Sequence, residues 1–141
     1  MKKLLFGLSL STVLAVSIFA SKDMSVEDHN KLTQDINIMK KMTPKQMGSS
    51  GKLIMSDVEY NSKLKLITFY MKMTMDFKNI PKHIKEELAQ GYEEDAFKNI
   101  CNSNWKTAFG DFNDLKVRYL YTSQDKVFNQ EIIIDLQKDC K

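Results

Sequence analysis

In Leu115-Lys116-Val117-Arg118-Tyr119-Leu120-Tyr121-Thr122, Leu115, Val117, Tyr119 and Tyr121 fall on one side and Lys116, Arg118, Leu120 and Thr122 on the other. A period of two belongs to a half-buried β-strand. A polar turn at Ser123 to Lys126 follows, and Phe128, Ile132, Ile134 and Leu136 then share one face of a returning strand, which predicts a hairpin. Upstream, Ser103 is placed to cap a short helix through Trp105 and Phe109 that Gly110 closes. Before that, Pro81 opens a longer helix, because it donates no backbone hydrogen bond where none is needed. Ile84, Leu88, Phe97 and Ile100 give that helix a partial apolar stripe, with Gly91 as a kink or break and Cys101 at its end.

A second hairpin precedes these helices. Residues 52–60 read as a strand with Ile54, Val58 and Tyr60 on one face, Asn61-Ser62 as the turn, and residues 63–76 as the returning strand. On the latter, Ile67, Phe69, Met71, Met73 and Met75 share one face while Leu64, Leu66, Thr68 and Tyr70 share the other, as expected of a central strand. Residues 24–40 read as a helix that Ser25 and Asp28 cap, with Val26, Leu32, Ile36 and Met39 at helical spacing and Lys40 and Lys41 at its C-terminal end. Thr43-Pro44 stops it, and Gly48-Ser49-Ser50-Gly51 reads as a flexible joint. The expected fold is α+β in the order helix, hairpin, helix, hairpin, with a four-stranded antiparallel sheet and helices packed on one face.

Residues 1–20 carry the marks of a secretory signal peptide: Lys2 and Lys3, an uncharged stretch from Leu4 to Phe19, and small Ala20 at the expected cleavage point. Residues 21–141 then form a single exported domain, periplasmic or secreted, with no stable membrane anchor after cleavage. The whole chain has 141 residues, 43% of them hydrophobic and 28% charged, the balance of one globular domain. Loss of residues 1–20 removes two lysines and no acids from 21 basic and 18 acidic residues, so the exported chain is close to neutral. Nucleic-acid binding needs a concentrated basic footprint, and here the lysines are spread among acids. Cys101 and Cys140 have no third cysteine to compete, so in an exported chain they are expected to form one disulfide.

The sequence carries no G-x-S-x-G and no H-E-x-x-H motif, and His29 and His83 have no nucleophile at meaningful spacing, so we read the chain as non-enzymatic and without a cofactor. Gly48 to Lys52 lacks the spacing of a phosphate loop, and Glu93, Glu94 and Asp95 read as a solvated helix start. Met71, Met73 and Met75 line one strand face about 7 Å apart and supply soft thioethers that suit Cu(I), although core packing is the simpler account of them. Lys63, Lys65, Lys116 and Arg118, interleaved with Tyr70 and Leu120, make a basic strip on the sheet that suits an acidic or amphipathic partner segment. Tyr70, Arg118 and Tyr121 are the expected exposed contacts of the sheet and its helix-flanked groove.

Cys101, the short helix, the stretch from Leu115 to Tyr121 with Tyr119 in it, the polar turn and the last strand ending in Asp139-Cys140 are similar to a pattern of small exported bacterial proteins. Among them the chain resembles the AspS-like class of type II secretion pilotins, which share this element order and a comparable cysteine pair. The resemblance implies binding of a peptide segment of a secretion component. It departs from that class in having no lipid-bearing cysteine near the cleavage point. The function expected is therefore a periplasmic protein-binding module, such as an accessory or pilotin-like adaptor of a secretion system. Cu(I) binding through Met71, Met73 and Met75, and inhibition of or immunity to a secreted enzyme, are the alternatives.

Overall fold

Helix α1, Val26–Lys41, starts as its sequence predicts. Ser25 Oγ accepts the Asp28 backbone N–H at 3.1 Å, and the Asp28 carboxylate accepts the Ser25 N–H at 2.9 Å, so two otherwise unpaired groups are satisfied reciprocally. Leu32 and Ile36 are buried, whereas Val26 is 78% exposed and lies outside the apolar stripe expected of it. These elements belong to a computed structural model that describes residues 22–48 and 50–141, so the signal peptide expected over residues 1–20 lies outside the described residues.

After α1 come strands β1 (Lys45–Met47), β2 (Leu53–Asn61) and β3 (Leu66–Met73), helices α2 (Lys82–Cys101) and α3 (Asn104–Phe109), and strands β4 (Lys116–Ser123) and β5 (Asn129–Asp135). Both expected hairpins form, β2 with β3 and β4 with β5. The four-stranded antiparallel sheet does not. The sheet has five strands in the order β1-β2-β3-β4-β5, and β3 pairs with β4 in parallel, from Leu66 opposite Lys116 to Met73 opposite Ser123. A parallel junction needs a crossover of a dozen or more residues, and the two helices supply it by returning the chain to the end of the sheet where β3 begins.

The fifth strand, β1, grows from the segment between Pro44 and the glycines. Gly48 (φ 71°) and Gly51 (φ 68°) take left-handed conformations between β1 and β2, which pair as a further hairpin. In β2 the register shifts between Met55 and Asp57. This bulge breaks the expected alternation: Met55 joins Val58 on the buried side, and Ile54 leaves it.

Helices α2 and α3 lie on one side of the sheet, whereas α1 packs along β2 with side chains reaching both faces, so the expectation of helices on a single face holds only in part. Ile67, Phe69, Met71, Met73, Val117, Tyr119, Tyr121, Ile132 and Ile134 form the buried layer beneath them. Ser103 caps α3 by accepting the Trp105 N–H at 3.2 Å, and α2 runs unbroken through Gly91. Cys101 at the end of α2 is bonded to Cys140 with 4.9 Å between Cα atoms, fastening the crossover to the chain beyond β5.

Candidate functional site

Helix α2 is twenty residues long yet buries only Ala96 and Ile100 completely, because it packs on β5 and α3 rather than across the middle of the sheet. Its apolar positions Leu88, Tyr92 and Phe97 are half-buried. The result is a groove of about 820 Å³ between α2, the C-terminal end of α1, the β1–β2 connection and the helix-side face of the sheet.

Aromatic side chains floor it. The Trp105 and Phe69 rings meet edge-on at 6.0 Å, Phe69 stacks on Tyr119 at 5.1 Å, Tyr119 on Tyr121 at 6.0 Å, and Tyr121 on Tyr92 at 4.9 Å. Five of the nine methionines, Met39, Met47, Met55, Met71 and Met75, line the same space. Methionine is unbranched and polarizable, so such a wall adapts to the shape placed against it. Met55 and Met71 are register partners across β2 and β3, which sets their side chains next to one another.

The polar groups are few and stand at two edges. Asp95, Asn99 and Ser103 stand on the helical wall, and Lys45 and Lys52 at the strand end. Burial pushes the phenols of Tyr119 and Tyr121 well above their ordinary range, with a further push on Tyr121 from Asp95. Tyr92 is raised for the same two reasons. Glu93, Glu94 and Asp95 fall within α2, not at a helix start.

The residues expected to meet a partner are divided between two faces. Tyr121 is only 4% exposed and belongs to the groove floor, a correction of its expected exposure. The period of two that buries Val117 and Tyr119 buries Tyr121 with them. Arg118 and Tyr70 project from the opposite face, where the Tyr70 hydroxyl donates to Glu59 at 2.9 Å and Arg118 Nε donates to Thr68 Oγ1 at 3.2 Å. Of the three methionines expected to act together, Met71 and Met75 line the groove, while Met73 is fully buried beneath it. Sequence periodicity missed Met47, Met55, Leu88 and Tyr92 as lining residues, and the one available signal was the unusual methionine content itself.

Among the described residues no group of three or more His, Cys, Asp or Glu side chains is placed to hold a metal ion, and no helix is long and apolar enough to cross a membrane. The chain matches no protein-family model, no curated protein and no solved structure.

Proposed function

We propose that the chain is an exported, non-enzymatic binding module that seats an apolar segment of another envelope protein in the groove, in the manner of a secretion-system accessory or pilotin-like adaptor. The observation that carries this reading is the groove's lining, a deep apolar trough walled by adaptable methionines and floored by a row of aromatic rings. Surfaces of this composition recognise the apolar side of a peptide by shape, with little demand for hydrogen bonds. The Cys101–Cys140 bond is compatible with an oxidising, extracytoplasmic setting.

Trp105 is the single tryptophan of the chain and lines the groove, so it reports occupancy directly. A photo-cross-linking residue at Leu88 is expected to trap one defined protein segment in cells, and the same residue at Lys72 on the opposite face is expected to trap none. The synthetic segment should then shift Trp105 emission on titration, and Leu88→Glu should weaken it by ~10-fold or more. A segment trapped from both positions, or one that leaves Trp105 emission unchanged, overturns the reading.

Cu(I) binding is a second reading, favoured by the opposition of Met55 and Met71 on neighbouring strands with Met75 in the same groove. Titration of Cu(I) against a chromogenic chelator tests it. Binding that Met71→Leu combined with Met75→Leu abolishes supports it, and failure of the wild-type protein to compete ends it.

A further inference from the structure

On the face of the sheet opposite the groove, and independently of it, we propose a binding site for a carboxylate carried on a short aliphatic chain, with the guanidinium of Arg118 as its anchor. Glu59, Thr68 and Arg118 stand in one row across β2, β3 and β4. Thr68 is only 4% exposed, and its Oγ1 accepts the Arg118 Nε–H at 3.2 Å. That bond orients the guanidinium plane and leaves its two terminal nitrogens to other partners. No carboxylate of the described residues lies within 4.0 Å of them.

Glu131 and Asp135, diagonal to Arg118 on β5, form no ion pair with it, and the acids of β2 on this face are engaged elsewhere. The Glu59 carboxylate accepts the Tyr70 hydroxyl at 2.9 Å and lies 3.7 Å from Lys40 Nζ, and Asp57 lies 3.1 Å from the same ammonium. Arginine presents a planar fork that matches a carboxylate through two parallel hydrogen bonds, and a fork already held on one side gives up less freedom when it binds.

The surroundings define the rest of the ligand. Arg118 and Thr68 belong to a basin of about 700 Å³ between α1, the β2–β3 turn and the row just described, with Ile36, Leu64 and Leu66 as apolar wall and Lys63 at the rim. A fork beside an aliphatic wall selects an anion with an apolar tail. Glu59 also lines the basin, which favours a singly charged carboxylate over a phosphate of higher charge. Both a free short-chain carboxylate and the C-terminal residue of a peptide have this chemistry.

Calorimetric titration with hexanoate and hexanamide, and with an acetylated tetrapeptide ending in leucine as its free acid and its amide, tests the site. An acid should bind at least ~10-fold more tightly than its amide, which is the contribution of a charge-assisted hydrogen-bonded pair. Preference for hexanoate as well as the peptide acid identifies the carboxylate alone as the ligand, and preference confined to the peptide acid identifies a chain terminus. Arg118→Gln should remove the preference. Thr68→Val, which keeps the charge and frees the fork, should reduce it, and Arg118→Lys, which keeps the charge without the fork, should reduce it to an intermediate value, even where the glutamine variant is too unstable to titrate. Equal binding of acid and amide, no binding of either acid, or an unchanged preference in the Arg118 variants overturns the proposal.

Discussion

The carboxylate of Asp125 accepts the backbone N–H of Phe77 at 2.7 Å although the two residues are 48 positions apart. The same oxygen accepts the Lys78 N–H at 2.9 Å, while the other accepts the Ser123 hydroxyl at 2.6 Å and the Val127 N–H at 3.2 Å. One side chain in the β4–β5 turn thereby fixes the segment that leaves β3. Phe77 is fully buried beside that anchor, its ring 4.8 Å from that of Phe128.

Acid should reveal this anchor. Desolvation pushes the Asp125 carboxyl up, but the hydrogen bonds from Ser123, Lys78, Val127 and Phe77 outweigh it and hold the group at about 2, below its ordinary 3.8. A depressed folded-state value stabilises the fold above the unfolded value, and that contribution is lost as pH falls through the folded one. Asp125→Asn should therefore lower the melting temperature at neutral pH, and the gap from wild type should close between pH 4 and pH 2. A gap that stays constant over that range would refute the assignment.

Removal of the disulfide should be costly. Cys101 and Cys140 are 39 positions apart, and in the chain-entropy model a bridge of this span contributes about 4 kcal/mol by restricting the unfolded chain. Urea unfolding of Cys101→Ser/Cys140→Ser should show a loss of that order, and wild type in reductant should match the variant.

The methionines should divide into two energetic classes. Met73 is fully buried, so Met73→Ala leaves a cavity and should cost ~2 to 5 kcal/mol. Met75 lines the groove half-exposed, and Met75→Ala should stay within about 1 kcal/mol in the same assay. Equal losses would mean that the groove wall is part of the core.

Alkali should loosen the sheet through its tyrosines. Burial raises the phenols of Tyr119 and Tyr121 above the ordinary 10.0, so the folded state favours their neutral form. The stability this gives is complete below the unfolded value and is lost as pH rises above it. Absorbance of ionised tyrosine should lag behind that of the unfolded chain, and Tyr119→Phe should reduce the loss of melting temperature above pH 10.

Local patterning made much of this legible. Ser25 with Asp28, Ser103, Gly110 and the alternating stripes of Leu115 to Tyr121 and Phe128 to Leu136 each report short-range chemistry, and each element stands where that chemistry places it. Three features escaped for physical reasons. β1 has only three residues, Lys45 and Gln46 of them exposed, too few for a period to show. Alternation is the same in parallel and antiparallel strands, so the stripe on β4 could not tell how it joins β3. The bulge near Ser56 exchanges Ile54 for Met55, and one inserted residue leaves no mark in composition. The groove escaped for another reason: it arises where α2 rests, on β5 and α3, which is a property of packing between distant segments. That placement also decided that Tyr121 would face the groove while Arg118 and Tyr70 would not.

The parallel junction of β3 with β4 also sets an order of assembly. Each hairpin is a local structure that can close on the microsecond scale, whereas the junction joins strands separated by the entire helical crossover. The loop-closure entropy must be overcome before Phe69 meets Tyr119, so the hairpins precede the sheet. Cys101 ends α2 and Cys140 follows β5, so both sulfurs lie on the C-terminal side of β3 and the bridge does not span the junction. The bridge therefore clips the helical crossover to the second hairpin, and the seam between the hairpins is held by its own ladder and by rings such as Phe69 on Tyr119.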